Sequence, residues 1–308
     1  MPGGDQISGR EPRFAPAQQD STAAQQQSTA TRQQSASAQE LFAEVEGVSR
    51  TLTIPLMARY LAGRRPDPII TDPDAGRLLA ELGLSHLHGD WSFQAVEAGT
   101  AIRTELLDAA VRDLAEAHPG LSIVTLGAGL CTRCVRLHGI DATWVDLDLP
   151  PVAALRRALL PPEANRSVIA NSVLSRDWHE AVADSPGPWL FILEGLTMYL
   201  HESEVRSLVT DLADRFPGSH VLIETVGPRS DPPGVLQQLR DQRTTGTEFV
   251  WSVRRHEQLC RWHPRLELLN TWYVMDYHAE AWPFLVRTLR HLPSVRAQSK
   301  IGHFRIAA

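Results

Sequence analysis

Residues Ser122 to Pro150 read SIVTLGAGLCTRCVRLHGIDATWVDLDLP. The stretch parses as strand, glycine turn, helix, strand and acid. Ser122 to Leu126 is β-rich and nearly free of charge, as expected of a strand buried on both faces. Gly127 and Gly129 follow at once, and two glycines there let the backbone turn sharply and let a ligand approach with no Cβ in the way. Thr132 to Leu137 can start a helix whose free N–H groups face that turn. A second strand, Ala142 to Leu147, ends at Asp146 and Asp148. A carboxylate at such a tip can accept both hydrogen bonds of a ribose diol.

A unit of this kind binds a nucleoside cofactor. A dinucleotide fingerprint wants a third glycine, so that a pyrophosphate can sit on the helix N-terminus. Here Thr132 stands at that position and Arg133 follows. A cofactor without phosphates needs only the first turn and the acid, and S-adenosylmethionine is such a cofactor. The spacing favours it over a dinucleotide or over a crossover with no ligand.

The 308 residues suffice for one large α/β domain with additions. A net charge of −6 gives no basic footprint for nucleic acid. No apolar run reaches membrane-span length. Lys300 is the only lysine, so a P-loop or a Schiff-base lysine deep in the fold is excluded. Three cysteines make no disulfide framework. Cys131 and Cys134 form a C-x-x-C, but a zinc site needs two more ligands that the spacing does not offer. They read as small semi-buried side chains at the turn, and no metal site is expected. Free thiols without a secretion signal fit the cytoplasm.

Residues 1–40 are rich in Gln, Ser and Ala and are expected to be a disordered tail. Residues 41–308 are expected to form a single domain. Within it, 41–118 would be a helical cover, with helices at Leu52 to Leu61, Asp74 to Leu82 and Thr100 to Ala117. Residues 119–308 would be the α/β core, with 228–295 as a lid or insertion over the cleft. Further strands are expected at Val168 to Asn171, Trp189 to Leu193, His220 to Val226, Leu266 to Tyr273 and Lys300 to Ile306. Helices are expected at Val152 to Leu159, Asp177 to Ala183, Ser203 to Phe216, Val235 to Arg243, Arg255 to Trp262 and Ala279 to Leu289. Strand–helix alternation predicts a doubly wound, mostly parallel Rossmann-like α/β sheet. Its ligands would bind at the C-terminal strand ends, where the strand order reverses.

Four pieces, in order, resemble the leucine carboxyl methyltransferase family, in its branch of polyketide O-methyltransferases. They are Thr51 to Leu56 with Arg64-Arg65-Pro66-Asp67-Pro68 and Asp72-Pro73; Ile102-Arg103-Thr104; Leu126 to Arg133 with Asp148-Leu149-Pro150; and Glu194-Gly195-Leu196-Thr197-Met198-Tyr199-Leu200. The match runs well over Ser49 to Val226. It implies a class I methyltransferase sheet, S-adenosylmethionine as cofactor, and cofactor-binding roles that can be carried over one by one. Arg103 matches the arginine that pairs with the methionine carboxylate, a task that suits a bidentate guanidinium. Gly127 matches the family glycine, with Gly129 beside it. Asp148 matches the ribose acid when the proline is aligned, with Asp146 as the open alternative. Ser172 and Val173 fall at the adenine edge, where the usual acid is missing. Glu194 matches the acid beside the sulfonium. The family's lysine ahead of the glycine motif has no counterpart, and Arg59 or Arg50 would substitute.

Methyl transfer from a sulfonium is an in-line displacement that needs alignment and exclusion of water. A carboxylate acceptor is ionised at neutral pH and needs no base; a hydroxyl gains from one. Tyr199 is placed to orient an acceptor, and His201 to act as a base for a hydroxyl. The cluster Trp251, Trp262, Trp272, Tyr273, Tyr277 and Trp282 is offered as a wall for a flat aromatic acceptor. The expected function is S-adenosylmethionine-dependent O-methylation, at a carboxylate, of a small-molecule natural product such as a polyketide, by a monomer or homodimer with no nucleic-acid or membrane partner. The alternatives are a nicotinamide-dependent oxidoreductase and a non-catalytic S-adenosylmethionine-binding partner module.

Overall fold

The computed structural model describes residues 37–84, 93–160, 163–185, 187–228 and 249–308. The expected tail through residue 36 and the expected helix at 235–243 lie outside the described residues.

Seven strands form one sheet in the order β3-β2-β1-β4-β5-β7-β6. They are β1 (Ser122–Leu126), β2 (Thr143–Asp148), β3 (Arg166–Ala170), β4 (Trp189–Leu193), β5 (His220–Thr225), β6 (Leu266–Tyr273) and β7 (Lys300–Ile306). The first five pair in parallel. β7 inserts antiparallel between β5 and β6. The order reverses between β1 and β4, which opens a crevice above their C-terminal ends, as in other doubly wound sheets. Every residue of β1 and of β5 is buried, as a strand covered on both faces requires.

Ten helices cover the sheet among the described residues: α1 (Ala38–Ala43), α2 (Thr53–Ala62), α3 (Pro73–Glu81), α4 (Gln94–Ala117), α5 (Arg133–Arg136), α6 (Pro150–Leu159), α7 (Trp178–Ala183), α8 (Glu202–Arg215), α9 (Phe284–Leu289) and α10 (Pro293–Arg296). Alternate strand positions feed opposite cores, as the period of two demands. Val124 and Leu126 pack with Val205, Leu212 and Phe216 beneath α8. Ile123 packs with Leu107, Val111 and Leu114 of α4 on the other face. A third cluster joins Leu56 and Leu78 of the early helices to Leu130 and Leu155, so α2 and α3 pack on α6 and on the glycine turn. A fourth sets Ala98 and Ile102 of α4 against Met275, Trp282 and Val286.

Several expected boundaries move for identifiable reasons. α4 begins at Gln94 rather than Thr100. Gly99 lies inside this longer helix. In the fold it is a contact point: a Cβ there would lie 3.3 Å from the Trp282 ring. The expected helix Ala279 to Leu289 is divided into a 3₁₀ turn, Ala279–Ala281, and α9, because Pro283 falls between them. The expected helix after Thr132 is a single turn. The stretch 228–295, expected as a lid or insertion, includes β6, which is an edge strand of the main sheet. The aromatic wall is also corrected. Trp251 and Trp262 belong to the core under α8, Trp272 to the core under α4, and Tyr277 and Trp282 to the cluster on the first half of α4. Rings on opposite sides of a sheet cannot line one surface.

Where β5 leaves the sheet, Gly227 allows the chain to pass α10 closely: a Cβ at this position would stand 2.5 Å from the Ala297 carbonyl oxygen. A backbone atom cannot swing aside as a side chain can. Gly227→Ala should therefore destabilise the protein by about 1–3 kcal/mol, as overpacking does. Gly139→Ala, where nothing lies within 4 Å, should change stability by less than about 0.5 kcal/mol. Urea denaturation of the two variants checks the contrast.

Candidate active site

The crevice is built from four strand ends. Gly127 follows β1 at φ +69° and Gly129 sits at φ +48°, so both occupy the left-handed region that favours glycine. A Cβ on Gly127 would also meet Leu196 Cδ1 at 3.0 Å. The turn is fixed by its carbonyls. Arg156 of α6 donates to Gly129 O (2.7 Å) and Cys131 O (3.1 Å), and Arg59 of α2 donates to Leu130 O (2.8 Å).

The two acids of β2 separate clearly. Asp146 is buried and pairs with Arg156, which makes it a brace for the turn rather than a group free to take a ribose. Asp148 stands at the strand tip, where its Oδ2 accepts Gly129 N–H at 2.7 Å and its Oδ1 accepts Leu149 N–H at 2.8 Å. Burial pushes its carboxyl up, and the two N–H groups offset part of that rise. A carboxylate offers about four lone-pair sites, and two of them are used here. The chain after β3 returns to this acid, since Asn171 N donates to Asp148 O at 2.9 Å. Ser172 follows with its N–H held by the Asn171 side chain, and Val173 packs toward the core with its carbonyl receiving Trp178 Nε1.

Glu194 comes directly off β4. Its Oε1 accepts from Arg103 Nε at 3.0 Å and its Oε2 from Arg133 Nη2 at 2.7 Å. Burial opposes its charge, but Arg133 and Arg103 outweigh burial and hold the carboxyl well below the usual range. Arg103 also donates from Nη1 to both oxygens of Glu224, at 2.8 and 3.0 Å. Its Nη2 makes no hydrogen bond among the described residues. Glu224 in turn accepts Gly195 N–H at 2.7 Å, and its backbone carbonyl accepts Thr197 Oγ1 at 2.7 Å.

The pairing continues away from the crevice. Arg133 donates to Asp108 (2.7 Å), Arg136 to Asp108 (3.0 Å) and Asp72 (3.4 Å), and Arg59 to Asp72 (2.8 Å). Asp72 also caps α3 through Ala75 N–H. Arg59 thus reaches the glycine turn, whereas Arg50 is exposed over the Phe42 ring. Sequence reasoning missed Arg133, Asp108 and Glu224 as site residues. A signal existed for Glu224, an acid inside an otherwise apolar strand that ends where Glu194 does.

Tyr199 is half-buried in the 3₁₀ turn Thr197–Tyr199. Burial pushes its phenol up, a bond to Thr51 opposes the rise, and the charges of Glu224 and Arg103 act on it. Phe249 crosses its ring edge-on at 5.4 Å. His201 is exposed at the start of α8, and its backbone N–H donates to Glu204. Cys131 and Cys134 are free thiols, with Cys134 buried. No cluster fit for a metal occurs among the described residues, and no helix there is long and apolar enough to cross a membrane.

Residues 53–213 match the model of the leucine carboxyl methyltransferase family. The tetracenomycin polyketide synthesis O-methyltransferase TcmP of Streptomyces glaucescens is 29% identical over 262 residues, covering 81% of this chain and 93% of that one. The S-adenosyl-L-methionine-dependent methyltransferase dpfgK of Gibberella zeae is 27% identical over 254 residues, covering 76% and 84%. A crystal structure of a proposed methyltransferase from Thermobifida fusca YX superposes with a TM-score of 0.57 at 21% identity, covering 85% of this chain and 96% of that one, and so shares the fold.

The depressed carboxyl of Glu194 predicts an acid-sensitive fold. Its charged form is favoured by folding, so its contribution is complete above the unfolded value of about 4.3 and is lost as pH falls below that. Glu194→Gln should cost about 3 kcal/mol at pH 7, the scale for removing one partner of a buried pair. Its melting temperature should also fall less steeply than the wild type's between pH 5 and pH 3. Thermal melts across that range test both statements.

Proposed function

This chain belongs to the leucine carboxyl methyltransferase family, and we propose that it is an S-adenosylmethionine-dependent O-methyltransferase acting on a small-molecule carboxylate. The observation that carries the reading is Arg103. It lies between Glu194 and Glu224, at the C-terminal ends of β4 and β5, with its Nη2 unpaired among the described residues. The residues present fit the cofactor: a tight turn at Gly127 and Gly129 with positive φ, an acid with spare lone pairs beside it at Asp148, and an arginine with an unpaired nitrogen at Arg103.

S-adenosylmethionine supplies a methyl group already activated by its sulfonium. The chain's work is to bind, align and dry. Arg103 would hold the amino-acid carboxylate through Nη2, Asp148 the ribose, and the residues after β3, Ser172 and Val173, the adenine edge. Glu194 would lie beside the methionine end and offer negative charge to the sulfonium. Its proximity to two arginines keeps it ionised, so it supplies charge and not a proton. A carboxylate acceptor needs no base, which accords with the surroundings of Tyr199: a phenol whose burial keeps it protonated and able to donate to an acceptor oxygen. His201 would serve as a base only for a hydroxyl acceptor, from its exposed position at the head of α8. The nicotinamide alternative has no support from the turn, since Thr132 fills the third-glycine position and donates to Asp72 at 2.6 Å.

Calorimetric titration with S-adenosylhomocysteine tests the reading. The wild type should bind with a Kd on the order of micromolar. Asp148→Asn should weaken binding by about tenfold, and Arg103→Met by about thirtyfold or more, the scale for a lost charge pair. Absence of heat with the wild type overturns the cofactor. Binding without methyl transfer to any of a panel of aromatic carboxylic acids, followed by mass spectrometry, would favour the non-catalytic binding module.

A further inference from the structure

The sequence holds 30 basic residues of the lysine and arginine types, and Lys300 is the only lysine among them. It is also fully buried. Its ammonium donates to two backbone carbonyls, Val253 O at 2.8 Å and Ala297 O at 3.3 Å, and no carboxylate pairs with it among the described residues. A buried cation without a counter-ion costs folding free energy. The other 29 are arginines, so this is the one site in the chain where the compact ammonium stands.

The two carbonyls show what it holds. Val253 closes the segment 249–253. This segment is laid across the crevice side of the sheet by three other bonds: Val250 N–H and Trp251 N–H to Met198 O, and Val253 N–H to Val226 O. At its head Phe249 meets Tyr199. At its foot Gly227 passes α10, and a Cβ on Gly302 would strike His256 at 2.9 Å. The ammonium is thus the point where the segment, the end of β5 and the entry to β7 are joined.

We propose that Lys300 is a positioning residue, whose buried ammonium staples segment 249–253 to the sheet so that Phe249 stands against Tyr199 on the acceptor side of the crevice. The acceptor side of this statement rests on the methyltransferase reading; the staple itself does not. Burial lowers the amine to about 8, so the closed segment favours the neutral amine, which keeps N–H groups to donate, while exposure to water favours the ammonium. The groups facing it from neighbouring elements are few. His256 lies close enough to feel its charge and is itself held down to about 3. On β5, Glu224 is committed to Arg103 and Gly195. On β6, Tyr273 lies beneath Arg296, which is paired with Asp276. Arg254 and Arg255 are exposed.

The sign for stability is opposite to that of an ordinary structural ion. The folded value lies below the unfolded value of about 10.4, so the unfolded chain binds the proton more tightly and the charge lowers stability at pH 7. Lys300→Met should therefore melt no lower than the wild type at pH 7. In the same variant, hydrogen-exchange protection of the Val250, Trp251 and Val253 amides should fall by about tenfold or more, while β1 and β4 stay protected. In the wild type, protection of these three amides, corrected for intrinsic exchange, should rise between pH 7 and pH 9, because opening the segment returns the amine to water, where it binds the proton more tightly, and it should be flat in Lys300→Met. S-adenosylhomocysteine affinity, measured on the same samples, should be unchanged, which separates failure of the staple from failure of the cofactor reading. Unchanged protection at 249–253, or a variant that melts lower with protection lost across all strands, would overturn the proposal. If Lys300→Met does not fold, a flat wild-type profile between pH 7 and pH 9 overturns it equally.

Discussion

Eight buried or half-buried charges run through this molecule in strict alternation: Arg59, Asp72, Arg136, Asp108, Arg133, Glu194, Arg103 and Glu224. Each interior member touches two of opposite sign. None could be buried alone at acceptable cost, and each is tolerable only where its neighbours stand. The chain of pairs crosses from α2 and the cap of α3 through α4 and α5 to the ends of β4 and β5. It therefore fixes the helical cover relative to the sheet more sharply than apolar packing, which is non-directional. Arginine is the necessary cation here, because its planar fork reaches two carboxylates at once. The crevice inherits this order: Arg103 and Glu194 belong both to the site and to the chain of pairs.

The apolar cores explain what the charges do not. Cores lie on the two faces of the sheet, a third ties the early helices to the glycine turn, and a fourth ties the start of α4 to the segment after β6. Residues that read as one aromatic group in sequence are shared among three of these. Large rings follow the nearest apolar face, and a strand or a proline between them is enough to send neighbours to different sides. What remains at the crevice mouth is smaller: Tyr199, with Phe249 across its ring.

The central strand–turn–strand unit was legible because its physics is local. A run such as Trp189 to Leu193 has little choice but to be a buried strand, and β4, β6 and β7 fall where the sequence places them. The positive-φ turn at Gly127 and Gly129 was legible for the same reason. The different surroundings of Asp146 and Asp148 were not, because they depend on Arg156, which reaches Asp146 from another element. Arg133 and Asp108 were invisible for a similar reason: on sequence an arginine and an aspartate on helices read as solvated charges, and only their burial against each other reveals them.

The burial of the sole lysine also bears on proteolysis. A lysine-directed protease has a single bond to attack in this chain, after Lys300, and that bond lies in β7 between β5 and β6. Cleavage there requires the strand to leave the sheet, so fraying of surface loops adds nothing to the rate. An arginine-directed protease, with 29 sites (30 basic residues less one lysine), samples every local opening instead. When opening and reclosing are fast relative to cutting, the first rate tracks the free energy of the deep opening, and the second tracks the shallowest. The chain thus carries its own clock for the opening of its core, wound by one residue.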